Sequence, residues 1–157
     1  MKKLLVAGLG NPLMGDEGIG VRLVRRLEEK IGDLPDVEFL DAGTGGVALV
    51  HAMAGRDKVI FIDCARMGKS PGTICRFSDE DVRSKKEMPE LSLHEADLMQ
   101  IIDLAQRLGQ APEEIVIYGI EPESVEERDG LSPVLQESVG RCVHRIQGEV
   151  RGDVGEG

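Results

Sequence analysis

Glu17, Asp63 and His94 could together supply a mixed oxygen and nitrogen ligand set, suited to nickel, zinc, iron or manganese and leaving coordination positions open. Glu17 lies in a stretch, Gly8 to Gly20, that carries glycine at positions 8, 10, 15, 18 and 20 and a second acid, Asp16. Asp63 closes an apolar run. His94 stands at a loop-to-helix junction, where Ser92 could cap the helix with Glu95 three residues on. The other two histidines, His51 and His144, fall on helical patterns and read as structural. A further acid, Asp41, opens Asp41-Ala42-Gly43-Thr44-Gly45-Gly46, so three successive strand ends each carry a carboxylate. Open α/β sheets collect ligands at the carboxyl ends of their strands. The competing reading makes Asp16 and Asp41 caps or turn residues and makes Gly18 and Gly20 an aid to helix packing.

Three familiar motifs are present in letter only. Gly68-Lys69-Ser70-Pro71-Gly72 spells a nucleophile elbow, but the oxyanion hole needs an N–H on the residue after the serine, and Pro71 has none. Met67-Gly68-Lys69-Ser70 resembles the end of a phosphate-binding loop, yet Asp63 stands where its first glycine belongs and no helix follows. The stretch is expected to be a surface turn. Gly8-Leu9-Gly10 lacks the third glycine of a dinucleotide fingerprint, and Pro12 interrupts the helix start.

The elements that must position these residues follow from hydrophobic periodicity. Strands are predicted over Lys3 to Gly8, Val37 to Ala42, Lys58 to Cys64, Gly72 to Ser78 and Glu114 to Ile120. Apolar faces with helical spacing run through Gly20, Leu23, Val24, Leu27 and Ile31, through Leu98, Ile101, Ile102, Ala105 and Leu108, and through Leu135, Val139, Cys142, Val143 and Ile146. The β-α-β-α-β order predicts right-handed crossovers and a three-layer α/β/α domain around a mostly parallel, five-stranded twisted sheet. The link from Ala65 to Pro71 is too short for a parallel crossover, so the Gly72 strand is expected to be antiparallel. Residues 1–149 form one domain in this reading, and 150–157, with three glycines, a flexible tail.

Composition excludes several function classes. The 157 residues suffice for one core burying roughly 70% of the unfolded surface without staples. Lys and Arg number 19 against 29 Asp and Glu, a formal charge of −10 that repels nucleic acid over most of the surface. Only Phe39, Phe61, Phe77 and Tyr118 are aromatic, too few to stack single strands. Cys64, Cys75 and Cys142 show no CxxC spacing, so a reducing cytoplasm is the expected setting. Cys64 follows Asp63 and, by strand alternation, points to the opposite face as a core residue. No apolar stretch nears the ~20 residues of a membrane span.

Six blocks in order, Gly10-Asn11 through Asp16-Glu17-Gly18-Ile19-Gly20, Asp41-Ala42-Gly43-Thr44, Asp63, Ser92-Leu93-His94-Glu95, Gly119-Ile120-Glu121-Pro122 and Gly130-Leu131-Ser132-Pro133, resemble the hydrogenase maturation proteases. The resemblance runs from about Lys3 to Ile146. It implies a phosphorylase/hydrolase-like fold and an endopeptidase that removes a carboxyl-terminal extension from the nickel-loaded precursor of the [NiFe]-hydrogenase large subunit. It also implies that Glu17, Asp63 and His94 bind metal and that Asp41 matters to function, and it suggests a mechanism in which Asp41 or Asp16 handles a proton while Gly18, Gly20, Gly43 and Thr44 let the substrate backbone come close. The nickel would arrive with the substrate precursor, and zinc or cadmium could occupy the site in isolation. A non-catalytic assembly chaperone is the alternative from another class. The opening Gly8 to Pro12 also resembles peptidyl-tRNA hydrolase, but no histidine follows before His51.

Overall fold

The computed structural model describes residues 3–84, 88–92 and 95–153, without the side chains of 95–97. Strand β1 (Leu4–Leu9) is buried along its whole length, because both of its faces are covered. It pairs in parallel with β2 (Val37–Gly43) on one side and with β3 (Lys58–Arg66) on the other. The next strands outward from β3 are β6 (Glu114–Ile120), parallel to it, and β4 (Ile74–Phe77), antiparallel to β6 as the short link before it requires. The order along the sheet is β2-β1-β3-β6-β4. A sixth strand, β5 (Glu90–Leu91), pairs antiparallel with the end of β3, so the sheet has six strands and not the expected five. Two residues carry no periodicity, and β5 exists only through its long-range partner.

Alternation along the strands separates two cores. Val6, Ile60, Ile62, Cys64, Tyr118 and Ile120 pack with α1 (Ile19–Ile31) and α5 (Pro133–Asp153) on one face. Leu5, Ala7, Leu9, Phe61, Ala65 and Ile117 pack with α2 (Ala48–Met53) and α4 (Glu95–Arg107) on the other, where α3 (Asp79–Ser84) contributes Val82. The predicted apolar faces of α1 and α5 are the buried ones. On α4, Leu98, Ile102 and Ala105 are buried, while Leu108 lies beyond the helix end and is 58% exposed. Helix α5 runs to Asp153 with Val150 fully buried, so the chain from 150 to 153 is helix and not tail. The remainder of the expected tail, 154–157, lies outside the described residues, as does the cap of α4 by Ser92 and Glu95.

Helix α1 approaches the sheet more closely than a side chain would allow. A Cβ at Gly20 would overlap the carbonyl oxygens of Leu9 and Ile62, and one at Gly8 would overlap the carbonyl of Gly20. The helix start is thereby wedged over the carboxyl ends of β1 and β3, the point where the chain crosses from one side of β1 to the other. Toward the opposite end of the sheet a polar cluster anchors α5. Lys58 Nζ lies 2.7 Å from Glu149 Oε2 and 2.9 Å from Asp153 Oδ2, Arg76 Nε lies 2.7 Å from Glu149 Oε1, and the Tyr118 hydroxyl donates to Glu149. Burial works to raise the Glu149 pKa, but the hydrogen bonds from Arg76, Lys58 and Tyr118 prevail and hold it at about 2.

Two outcomes test this architecture. Gly20→Ala must push α1 off the strand carbonyls, and chemical denaturation should register a loss of at least about 3 kcal/mol, the upper range for overpacking. Glu149→Gln should cost roughly 2 kcal/mol at pH 7. Because the folded pKa lies below the usual carboxylate value, that contribution is present above about pH 4.5 and lost as pH falls toward 2. The offset between variant and parent should therefore shrink as the pH of denaturation is lowered from 4.5, and the two should converge at about pH 2.

Candidate functional site

A cavity of about 500 Å³ opens beside the carboxyl end of β3. Its polar lining comes from Glu17, Cys64, Arg66, Glu90 and Ser92, and its apolar lining from Met88, Leu91 and Val125. Glu17 reaches it from a 3-10 turn, Gly15–Gly18, that bridges β1 and α1. The turn is seated on Gly10, where a Cβ would overlap the Glu17 carbonyl and would lie 3.7 Å from Asp63 Oδ1. Asp63 thus stands directly beneath the turn that carries Glu17.

Asp63 is fully buried. The Cys64 amide donates to its Oδ1 at 2.8 Å and the Ser92 amide to its Oδ2 at 3.1 Å, which ties β3 to the segment leading into α4. Burial raises its pKa to about 7 against these hydrogen bonds, and the charge of Glu17 raises it further. Glu17, half-buried, is also pushed up by burial, with the positive charge of Arg66 acting in the other direction. Two adjacent carboxylates held above their ordinary range form a site short of positive charge, and a divalent cation is the chemical species that fits it. His94, the third expected ligand, lies outside the described residues. Among the described residues no group of three or more His, Cys, Asp or Glu is gathered to hold a metal ion, and of the three expected ligands Glu17 and Asp63 are the ones described.

The two aspartates expected to move protons are placed elsewhere. Asp16 is fully buried, and its carboxylate accepts from the amides of Glu123, Ser124 and Ser132 and from the Ser132 hydroxyl, at 2.7 to 3.2 Å. With its lone pairs so engaged it works as a staple, fastening the β1–α1 turn to the loop between β6 and α5. Leu13 and Gly15 add backbone bonds to Arg128 in the same loop. Asp41 lies on the opposite face of the sheet from Asp63. Phe39 packs on the α1 side and Leu40 and Ala42 on the other, so Asp41 projects toward α1, where Arg25 Nη2 meets its Oδ2 at 2.6 Å. Its other oxygen accepts from the Gly43 amide at 3.1 Å.

The glycines expected to admit substrate divide in two. Gly18 and Gly20 are filled by the chain itself, since a Cβ at Gly18 would crowd Pro12 and one at Gly20 would strike the strand carbonyls. Their lack of a side chain serves packing. Gly43, at φ +54°, has no atom within 4 Å of an added Cβ, and Thr44 is exposed, so this pair forms an open rim at the end of β2. Cys64 is a core residue as alternation requires, its thiol pushed up by burial to about 12 and hence unsuited to act as a nucleophile. Residues 68–72 form the surface turn between β3 and β4, held by Glu121, whose Oε1 accepts from the Met67 and Lys69 amides. Sequence reasoning missed Arg66, Glu90 and Ser92 as lining, because their proximity depends on β5.

Residues 21–149 match the family model described as hydrogenase maturation protease (HycI). The chain is 35% identical over 151 residues to the hydrogenase 2 maturation protease of Escherichia coli K12, covering 95% of this chain and 91% of that protein. It is 32% identical over 143 residues to the hydrogenase expression/formation protein HoxM of Cupriavidus necator, covering 90% of this chain and 71% of that one. Among solved structures, the hydrogenase maturating endopeptidase HybD from E. coli superposes with a TM-score of 0.83 at 32% identity, covering 96% of this chain and 93% of that one. The [NiFe] hydrogenase maturation protease HycI from Thermococcus kodakarensis KOD1 gives 0.74 at 25% identity, with 94% and 91% covered.

The state of Asp63 has a measurable consequence. A carboxyl whose folded pKa is raised from 3.8 to about 7 weakens the fold as pH rises through that interval, since the folded state then binds the extra proton. In the presence of chelator, Asp63→Asn should gain stability relative to the parent between pH 4 and pH 7, by on the order of 3 kcal/mol. Urea denaturation at the two pH values reads the difference, and equal offsets at both would contradict this account of the site.

Proposed function

This chain belongs to the hydrogenase maturation protease family, and from that premise we propose that it is an endopeptidase that removes the carboxyl-terminal extension of the nickel-loaded [NiFe]-hydrogenase large-subunit precursor. The observation that carries this reading is the Glu17 and Asp63 pair, two burial-raised carboxylates beside a peptide-sized cavity. Nickel belongs to the substrate and arrives on it. Glu17, Asp63 and His94 complete its ligand shell, the proton held at Asp63 leaves as the cation enters, and the precursor is thereby fixed over the cavity. Zinc or cadmium can take the same ligands in the isolated protein. A cation so placed polarises the scissile carbonyl or the attacking water. No side-chain nucleophile is required, in keeping with the buried, protonated Cys64. Asp41 acts as a positioning residue: anchored by Arg25, it holds the Gly43 amide and so shapes the rim that Gly43 and Thr44 offer to the substrate backbone.

The acidic surface leaves nucleic acid out of the reading, no helix among the described residues is long and apolar enough to cross a membrane, and three free cysteines suit a reducing cytoplasm. Gating by nickel separates a protease from an assembly chaperone. Mass spectrometry of precursor mixed with the protein should show loss of the extension only when nickel is installed. Glu17→Gln should lower that cleavage by more than about 100-fold. Equal cleavage of nickel-free precursor, or an unimpaired Glu17→Gln, would remove the metal from the mechanism. Binding without mass loss would make the protein a chaperone.

A further inference from the structure

Arg66 lines the cavity yet has no hydrogen-bond or ion-pair partner among the described residues. Most other arginines of the chain are engaged: Arg22 with Asp129, Arg25 with Asp41, Arg56 with Glu38, Arg76 with Glu149 and Arg83 with Asp79. Within the described residues its guanidinium is unbonded, although Glu17 is near enough to feel its charge and Glu90 stands opposite it in the β3–β5 register. Its backbone is fixed in that antiparallel pair, and its side chain is exposed.

The charges around it are unevenly distributed. Among the described lining residues Arg66 is the one cation, while Glu17 and Glu90 line the same cavity and Asp63 lies beneath the Glu17 turn. Among the described lining residues the other charged groups, Glu17 and Glu90, repel a carboxylate, whereas Arg66 offers it a planar fork of donors matched to its two oxygens. Repulsion on one side and attraction on the other is how a site selects a register.

We propose that Arg66 is a specificity-determining residue, which receives a carboxylate of the client's carboxyl-terminal segment and so sets where the peptide lies across the Glu17 and Asp63 pair. This rests on the endopeptidase reading above. The carboxylate is either an acidic side chain of the extension or its terminal carboxyl, and the two share one mode of recognition.

The test compares the parent with Arg66→Lys, Arg66→Gln and Arg66→Glu on nickel-loaded precursor. Loss of a charge-assisted contact should raise KM about 10-fold in Arg66→Gln with kcat nearly unchanged. Arg66→Lys should fall between that variant and the parent, Arg66→Glu should be worse than Arg66→Gln, and melting temperatures should stay level. Neutralising the acidic side chains of the extension one at a time, and separately removing its last residues, identifies the carboxylate as the group whose loss leaves Arg66→Gln no further effect. An unchanged KM in both Arg66→Gln and Arg66→Glu, or an effect confined to kcat, would overturn the assignment. Calorimetric binding of the same precursor, read without cleavage, decides Arg66 independently. If the parent cleaves nothing, the endopeptidase reading fails while weaker binding by Arg66→Glu still upholds the contact, and equal binding by parent and variant refutes it.

Discussion

The close seating of α1 on the sheet is the constraint on which the rest of this structure depends. Gly20 lies against the carbonyls of Leu9 and Ile62, and Gly8 against that of Gly20, so no side chain separates the helix start from the ends of β1 and β3. The turn before the helix then has little freedom, and it is pinned from its other side by Asp16 and by the backbone bonds of Leu13 and Gly15 to Arg128. Glu17 is carried on that doubly held turn directly over Asp63. Both carboxyls are raised chiefly by loss of solvent, and a looser mount would let Glu17 swing to water and relax. The interlocked backbones restrain it, and both carboxyls stay desolvated.

Asp16 and Asp63 are both fully buried, yet their surroundings differ in a way that separates structure from chemistry. Asp16 accepts four hydrogen bonds, two of them from Ser132. That satisfaction explains why an aspartate, a serine-bearing Gly-Leu-Ser-Pro block and the loop between them all belong to one fold. Among the described residues Asp63 accepts from two backbone amides, those of Cys64 and Ser92, and feels the charge of Glu17. Desolvation prevails there, and the group holds its proton to about pH 7. Burial of a carboxylate is by itself uninformative; the donors supplied to it distinguish a staple from a group left to hold its proton.

The fold was largely legible from periodicity, because continuous apolar runs and amphipathic helices report burial directly. The parallel order, the antiparallel β4 and the strand-end positions of Glu17 and Asp63 all follow from that pattern. Strand β5 was not legible, since two residues cannot show a period and their pairing to Ala65 and Arg66 is a long-range event. Nor was the face on which Asp41 lies. In a strand covered on both sides the alternation of apolar residues disappears, and with it the clue that Asp41 follows Phe39 toward α1 while Asp63 follows Phe61 toward α4. The glycines were legible as close approach but not as to what approaches, for Gly18 and Gly20 accommodate their own chain whereas Gly43 stands open.

Strand alternation has a consequence for chemistry in this architecture. Carboxylates at neighbouring strand ends converge only when they share a face, and β1 lies between Asp41 and Asp63 while their faces differ. The site therefore draws on the loops over β1 and β3 and on the segment leading into α4, and β2 contributes a rim through Gly43. In the proposed reading such a site recognises its client by charge before any bond is broken. An empty precursor brings nothing that relieves the Glu17 and Asp63 pair, whereas one carrying a divalent ion does, and the proton given up by Asp63 couples that recognition to pH. Discrimination between finished and unfinished substrate then needs no moving part, only two desolvated acids held in place by interlocked backbones.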